Sequence, residues 1–155
     1  MPRLLSMLFV VSLLCGCGSQ TALPEAARPP DPQNLRIVAS DSLAPAFKEL
    51  GAQFEKKNNV KITFSWGSTQ TLSHQIESGI TYDVIAVTDV QLMEKLKANG
   101  KILPETLESY APQKLVVAAV KGASGERWAR RFIQYMNETE GQLIMERHGF
   151  VRPGK

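Results

Sequence analysis

Two hydroxyl-bearing turns carry the chemistry that most directs this sequence, Asp41-Ser42-Leu43 and Gly67-Ser68-Thr69-Gln70-Thr71. Each follows a short apolar run and precedes apolar residues at helical spacing. Each therefore sets hydroxyl groups beside the first amides of a helix, which lack intrahelical partners and lie at the positive end of the helix dipole. Such an end suits a small oxyanion without any lysine or arginine, and Ser42, Ser68 and Thr69 are the candidate contacts. Plain helix capping would use the same hydroxyls.

Catalysis fits the residues less well. The two histidines, His74 on an expected helix and His148 at an expected helix end, read as surface residues. Ser68, His74 and Asp83 can be grouped as nucleophile, base and orienting acid, yet no G-x-S-x-G elbow is present and nothing sets an oxyanion hole beside a base. There is no Cys or His cluster for zinc, no EF-hand loop and no glycine-rich phosphate loop. The expectation is a binding protein, not an enzyme, with no catalytic residue, metal or cofactor.

An alternation of strands and helices must position the two turns. Residues 35–40 (LRIVAS) read as a buried strand, followed by a helix with Leu43, Ala46, Phe47, Leu50 and Phe54 at spacings of three, four, seven and eleven. Ser42 is its expected N-cap, Pro45 fits its first turn, and residues 56–59 (KKNN) end it. Residues 60–66 (VKITFSW) alternate as a strand with Val60, Ile62, Phe64 and Trp66 on one face. The second hydroxyl turn then opens a helix with Leu72 and Ile76 inward, stopped near Gly79. Residues 83–88 form a third strand, and a helix with Val90, Met93, Leu96 and Lys97 runs to Asn99-Gly100. Residues 114–120 form a fourth. A turn over residues 121–125 leads to a helix with Trp128, Phe132, Ile133 and Met136 in the core. Thr139 and Gln142 suggest a capping box for a last helix ending at His148-Gly149. The pattern is α/β, a mostly parallel sheet flanked by helices.

The amino terminus is of another kind. Arg3 precedes residues 4–15 (LLSMLFVVSLLC), an apolar run the size of a signal-peptide core and short for a membrane span. Leu14-Cys15-Gly16-Cys17 resembles the bacterial lipoprotein signal: an aliphatic residue, a small residue just before the cut, then the cysteine that receives lipid. The resemblance implies that residues 1–16 are a lipoprotein signal peptide and that Cys17 becomes the lipidated first residue, holding the protein to the periplasmic or cell-surface face of a membrane. Residues 17–33 then read as a tether, with four of the chain's nine prolines. Both cysteines lie before the folded part, so no disulfide is expected within it. The chain has 18 Lys and Arg against 15 Asp and Glu. Removing Arg3 leaves 17 against 15, a net charge of +2, too weak for nucleic acid.

The folded part also resembles a family. Asp41-Ser42-Leu43, residues 64–79 (FSWGSTQTLSHQIESG) and residues 82–86 (YDVIA) match, in order and spacing, motifs of the molybdate-type periplasmic solute-binding proteins of ABC transporters. Those motifs are an A-A-S-L-like turn, a G-S-S-x-T-L-A-x-Q-I-x-x-G stretch and an A-D-V/L-F-like strand. Residues 129–132 (ARRF), 139–142 (TEGQ) and 148–150 (HGF) resemble the family's ending. The resemblance implies a periplasmic-binding-protein type II-like fold, with molybdate, tungstate or sulfate as ligand and an ABC permease as partner. Ser42 and the Ser68-Thr69 pair match the oxyanion-contacting positions of the first lobe, with Thr69 the nearer match for the second contact. Asp41 departs from the small apolar residue usual before that serine, and its carboxylate would repel an anion unless it turns away.

Length is the larger departure. Family members clasp the anion between two lobes, whereas here the strand at 114–120 passes straight to the closing helices. Roughly a hundred residues, the size of a lobe, are missing at that point. Residues 34–153 are therefore expected to form a single lobe that binds weakly, with self-association as one way to restore a two-sided site. The alternatives are an interaction module outside transport and a non-functional deletion product.

Overall fold

The computed structural model describes residues 34–112 and 114–153. The expected signal peptide, Cys17 and the tether lie outside the described residues. The elements run β1 (Asn34–Ser40), α1 (Ala44–Asn58), β2 (Lys61–Gly67), α2 (Thr69–Glu77), β3 (Val84–Val87), α3 (Val90–Ala98), β4 (Glu108–Tyr110), β5 (Leu115–Ala119), α4 (Glu126–Met136) and α5 (Thr139–Arg147). Short 3-10 turns cover Asp41–Leu43 and Pro104–Thr106.

The five strands form one sheet in the order β2-β1-β3-β5-β4. The α/β class and the helix-flanked sheet hold. The sheet is mixed: β1 is parallel to β2 and β3, while β5 is antiparallel to β3 and β4. The cause is a hairpin. After α3 the chain crosses back to form β4 in the direction of β3 but one place further out, and β5 returns through the gap between them. The three-residue β4, Glu-Ser-Tyr, has no apolar run to announce it.

Both faces of the sheet are covered, which is why its central strands are nearly continuous apolar runs. Leu35, Ile37 and Ala39 of β1, Val84 and Ala86 of β3, and Leu115, Val117 and Ala119 of β5 face α1, α4 and α5 in one buried cluster. Val38, Ile85, Val87, Val116 and Ala118 face α2 and α3 in the other. Edge strand β2 keeps the expected alternation, with Ile62, Phe64 and Trp66 packed against the first cluster and Phe64 stacked on Trp66.

Phe132, Ile133 and Met136 are buried as expected, and Trp128 packs against them half-buried. Val90 instead begins α3 with its side chain exposed. The expected capping box at Thr139 and Gln142 does not form: Glu138 occupies the N-cap position without a side-chain cap bond, and its carboxylate takes Arg131. α5 starts hard against the end of α4. A Cβ at Gly141 would lie 2.1 Å from the Tyr135 carbonyl oxygen, so this close approach requires glycine.

Candidate functional site

The parallel strands β1, β2 and β3 end on one edge of the sheet, the edge at which open α/β folds collect ligands. Ser40 pairs with Gly67 in the β1–β2 register. The two hydroxyl turns therefore leave neighbouring strands about 4.8 Å apart and open side by side.

Ser68 is the N-cap of α2, and its Oγ accepts a hydrogen bond from the Thr71 amide at 3.3 Å. It also lies 3.0 Å from Thr71 Oγ1. With the Thr71 hydroxyl donating, the Ser68 proton is directed outward. Thr69 is the first helical residue and is half-buried. Its amide and that of Gln70 belong to the first turn and have no intrahelical acceptor.

Ser42 is placed differently from expectation. It lies within the 3-10 turn Asp41–Leu43, and the N-cap of α1 is Leu43, with no side-chain cap bond. Pro45 sits in the first turn of α1, where no amide donor is needed, so the helix starts after this turn without strain. Ser42 is consequently exposed with its hydroxyl free of capping duty. Asp41 is exposed beside it and caps nothing.

The third helix on this edge is closed. The Asp89 carboxylate accepts from the amides of Gln91 at 2.8 Å and Leu92 at 3.2 Å. Ser40, buried at the end of β1, accepts from the Thr88 amide at 3.3 Å and ties the ends of β1 and β3 together. Both residues escaped sequence reasoning. An Asp just before a helical pattern was a visible signal for Asp89, whereas the role of Ser40 depends on strand pairing.

Structure separates the Ser68, His74 and Asp83 grouping. Asp83 precedes β3 on the opposite edge, opposite Arg36 by the register of Ile37 with Val84, which puts it four residues from the Ser40 end, roughly 13 Å. It is buried and engaged: it accepts from the Arg36 amide at 2.7 Å and the Gly125 amide at 3.1 Å, with Arg36 Nε at 3.5 Å. A Cβ at Gly125 would fall 2.8 Å from the Asp83 carboxyl carbon. Asp83 is thus a structural clamp on the turn into α4. His74 is exposed on α2. His148 is not a free surface residue: its Nε2 lies 2.8 Å from Glu49 Oε2, and Arg147 bonds the same carboxylate, tying α5 to α1. Among the described residues no group of three or more His, Cys, Asp or Glu could hold a metal ion.

The edge therefore offers, side by side, the 3-10 turn carrying Ser42 and the open start of α2 at Ser68-Thr69, both bearing hydroxyls. The family described as bacterial extracellular solute-binding protein matches residues 35–126, more than half of the chain. This chain belongs to that family. Among curated relatives, the molybdate-binding protein ModA of Mycobacterium tuberculosis is 29% identical over 115 residues, covering 73% of this chain and 44% of its own. ModA of Azotobacter vinelandii is 31% identical over 108 residues, covering 70% and 38%. The chain thus spans less than half the length of the curated relatives it matches. Among solved structures, the Azotobacter vinelandii periplasmic molybdate-binding protein superposes with a TM-score of 0.69 at 13% identity, over 77% of this chain and 100% of that one. Iron-bound HitA from Pseudomonas aeruginosa superposes with a TM-score of 0.64 at 12% identity, over 79% and 87%. At such identities the structural likeness establishes the fold. The family and the curated relatives are solute-binding proteins, not enzymes.

Proposed function

We propose that this chain is an extracytoplasmic, lipid-anchored solute-binding component of an ABC transporter that holds a tetrahedral oxyanion, molybdate or a relative such as tungstate or sulfate. The observation that carries this reading is the pair of adjacent hydroxyl turns on the ligand edge, the 3-10 turn with exposed Ser42 and the start of α2 at Ser68-Thr69, neither closed by a carboxylate cap. The molybdate-binding relatives supply the chemical class. An oxyanion seated there accepts from the first-turn amides of α2 and from the Ser42, Ser68 and Thr69 hydroxyls. Fixed amide dipoles stabilise its charge without a buried lysine. Ser42 and Ser68 are exposed, so water competes for every contact and the complex is weak and short-lived. A permease partner would then collect solute from an open half-cleft.

A second reading, an interaction module that self-associates or binds another protein, draws on Val90 and Val151. These exposed apolar side chains lie on the same edge, Val90 starting α3 and Val151 bridged to Ala111 beyond β4.

Calorimetric titration of the protein with molybdate, tungstate and sulfate tests the proposal. Saturable heat is expected with at least one of them, and the Ser42→Ala, Thr69→Ala double variant should lose tenfold or more in affinity, about 1.4 kcal/mol, while its melting temperature stays near that of the parent. A folded protein that evolves no heat at millimolar oxyanion would sink oxyanion binding and favour the interaction module.

A further inference from the structure

The opposite edge of the sheet, where β1, β2 and β3 begin, has its own charge pattern. Lys61 opens β2, Lys56 lies in the last turn of α1, and Lys101 and Lys121 sit together where the Lys121 amide bonds the Lys101 carbonyl at 2.9 Å. All four are exposed, and none has an ion-pair partner among the described residues. The neighbouring charges are paired: Lys95 with Glu77, Lys97 with Glu94, and Arg36 with buried Asp83, while Arg130 holds both Glu105 and Glu126 and Glu105 also lies in the field of Lys121. Glu55 is turned to the Ile62 amide. Even set against Glu55 and the second carboxylate on Arg130, the four lysines leave this edge net positive, whereas Asp41 and Asp89 mark the ligand edge. On the loop from α2 to β3, Ile80 is 51% exposed and stands beside Lys101 and Lys121 around one shallow apolar hollow, while Lys56 and Lys61 line another hollow further along.

The chain also enters the domain here, because β1 begins at Asn34, directly after the Pro-rich residues 17–33. The sixteen residues after Cys17 reach up to about 50 Å when extended. With the anchor sixteen residues from Asn34, surface chemistry must decide which side of the domain faces the membrane. We infer that the lysine edge, with Ile80 beside Lys101 and Lys121, lies against an anionic phospholipid surface and holds the ligand edge toward bulk solvent. This rests on the lipid anchor at Cys17. Cations grouped around an exposed aliphatic side chain are what an anionic headgroup layer retains, each lysine raising occupancy roughly fivefold at low salt. Tethering raises the local surface concentration enough for such contacts to matter. It also keeps Ser42 and Ser68 clear of headgroup phosphates, which would compete as oxyanions.

Lysine-directed acylation of the full chain, bound to vesicles of phosphatidylcholine alone or mixed with phosphatidylglycerol and mapped by mass spectrometry, reads the orientation. In phosphatidylglycerol vesicles Lys56, Lys61, Lys101 and Lys121 should react several-fold more slowly than Lys48 and Lys114, the contrast vanishing in high salt and in phosphatidylcholine. A Lys61→Glu, Lys121→Glu variant should lose it without change in melting temperature. Equal reactivity of all six lysines, or slowing of Lys114 instead, overturns the inference, as does protection that needs an added acidic protein. A Cys17→Ser chain that still shows the protection removes the anchor from the explanation but keeps the surface. Loss of all vesicle association from the parent chain refutes both.

Discussion

α2 and α3 leave the same edge of the same sheet after β2 and β3, the two strands that flank β1, yet they present opposite electrostatics. α2 is capped by the Ser68 hydroxyl, which satisfies the Thr71 amide and adds no charge. α3 is capped by Asp89, whose carboxylate takes two amides and cancels the positive helix end. Both caps stabilise their helices about equally, since Ser and Asp rank together as N-caps. A site on this edge therefore follows from which oxygen closes the helix, not from the presence of a helix start.

Exchanging the caps breaks the comparison. Ser68→Asp keeps the bond to Thr71 and should leave stability within about 0.5 kcal/mol of the parent. It places a full negative charge where the anion would sit, so affinity should fall by tenfold or more in a titration at low salt. A Ser68→Asp variant that binds molybdate as the parent does would move the ligand away from α2 altogether.

The reverse change is smaller and separates capping from charge. Asp89→Ala strips both amides of their acceptor and should cost about 1 kcal/mol in denaturant unfolding, whereas Asp89→Ser should recover most of that. If the serine and alanine variants unfold alike, the Asp89 bonds contribute through charge and not as a cap.

The edge itself is legible in the sequence. β1, β3 and β5 bury both faces and so announce themselves as apolar runs, and α2 was marked at both ends by Ser68 and Gly79. The misplacements have common physical causes. Ser42 was expected as the cap of α1, but Leu43 satisfies a helical pattern whether the helix starts at residue 43 or after a 3-10 turn. β4 escaped because three residues of mixed polarity carry no periodicity. Asp83 looked available to Ser68 because sequence proximity ignores which end of a strand a residue occupies; the register of β1 with β3 puts it at the far end, bonded to Arg36 and Gly125. At Thr139 a residue pair with capping-box spacing was overruled by Glu138, one place earlier, where Gly141 packs against the Tyr135 carbonyl.

Asp41 supplies the mildest test, because it is a carboxylate on the ligand edge that Asp89 resembles in type but not in use. Asp89 has its charge absorbed by two amides, whereas Asp41 is exposed and its side chain caps nothing. At contact with a dianion in a water-rich setting its repulsion is modest, and salt screens it over about 10 Å at 0.1 M ionic strength. Asp41→Asn should therefore strengthen oxyanion binding about threefold at low salt, with the gain shrinking as salt is added. The melting temperature should barely move, since no hydrogen bond is removed. Unchanged affinity at low salt would mean that the carboxylate turns away from the anion, leaving Ser42 and α2 to set the local field without opposition.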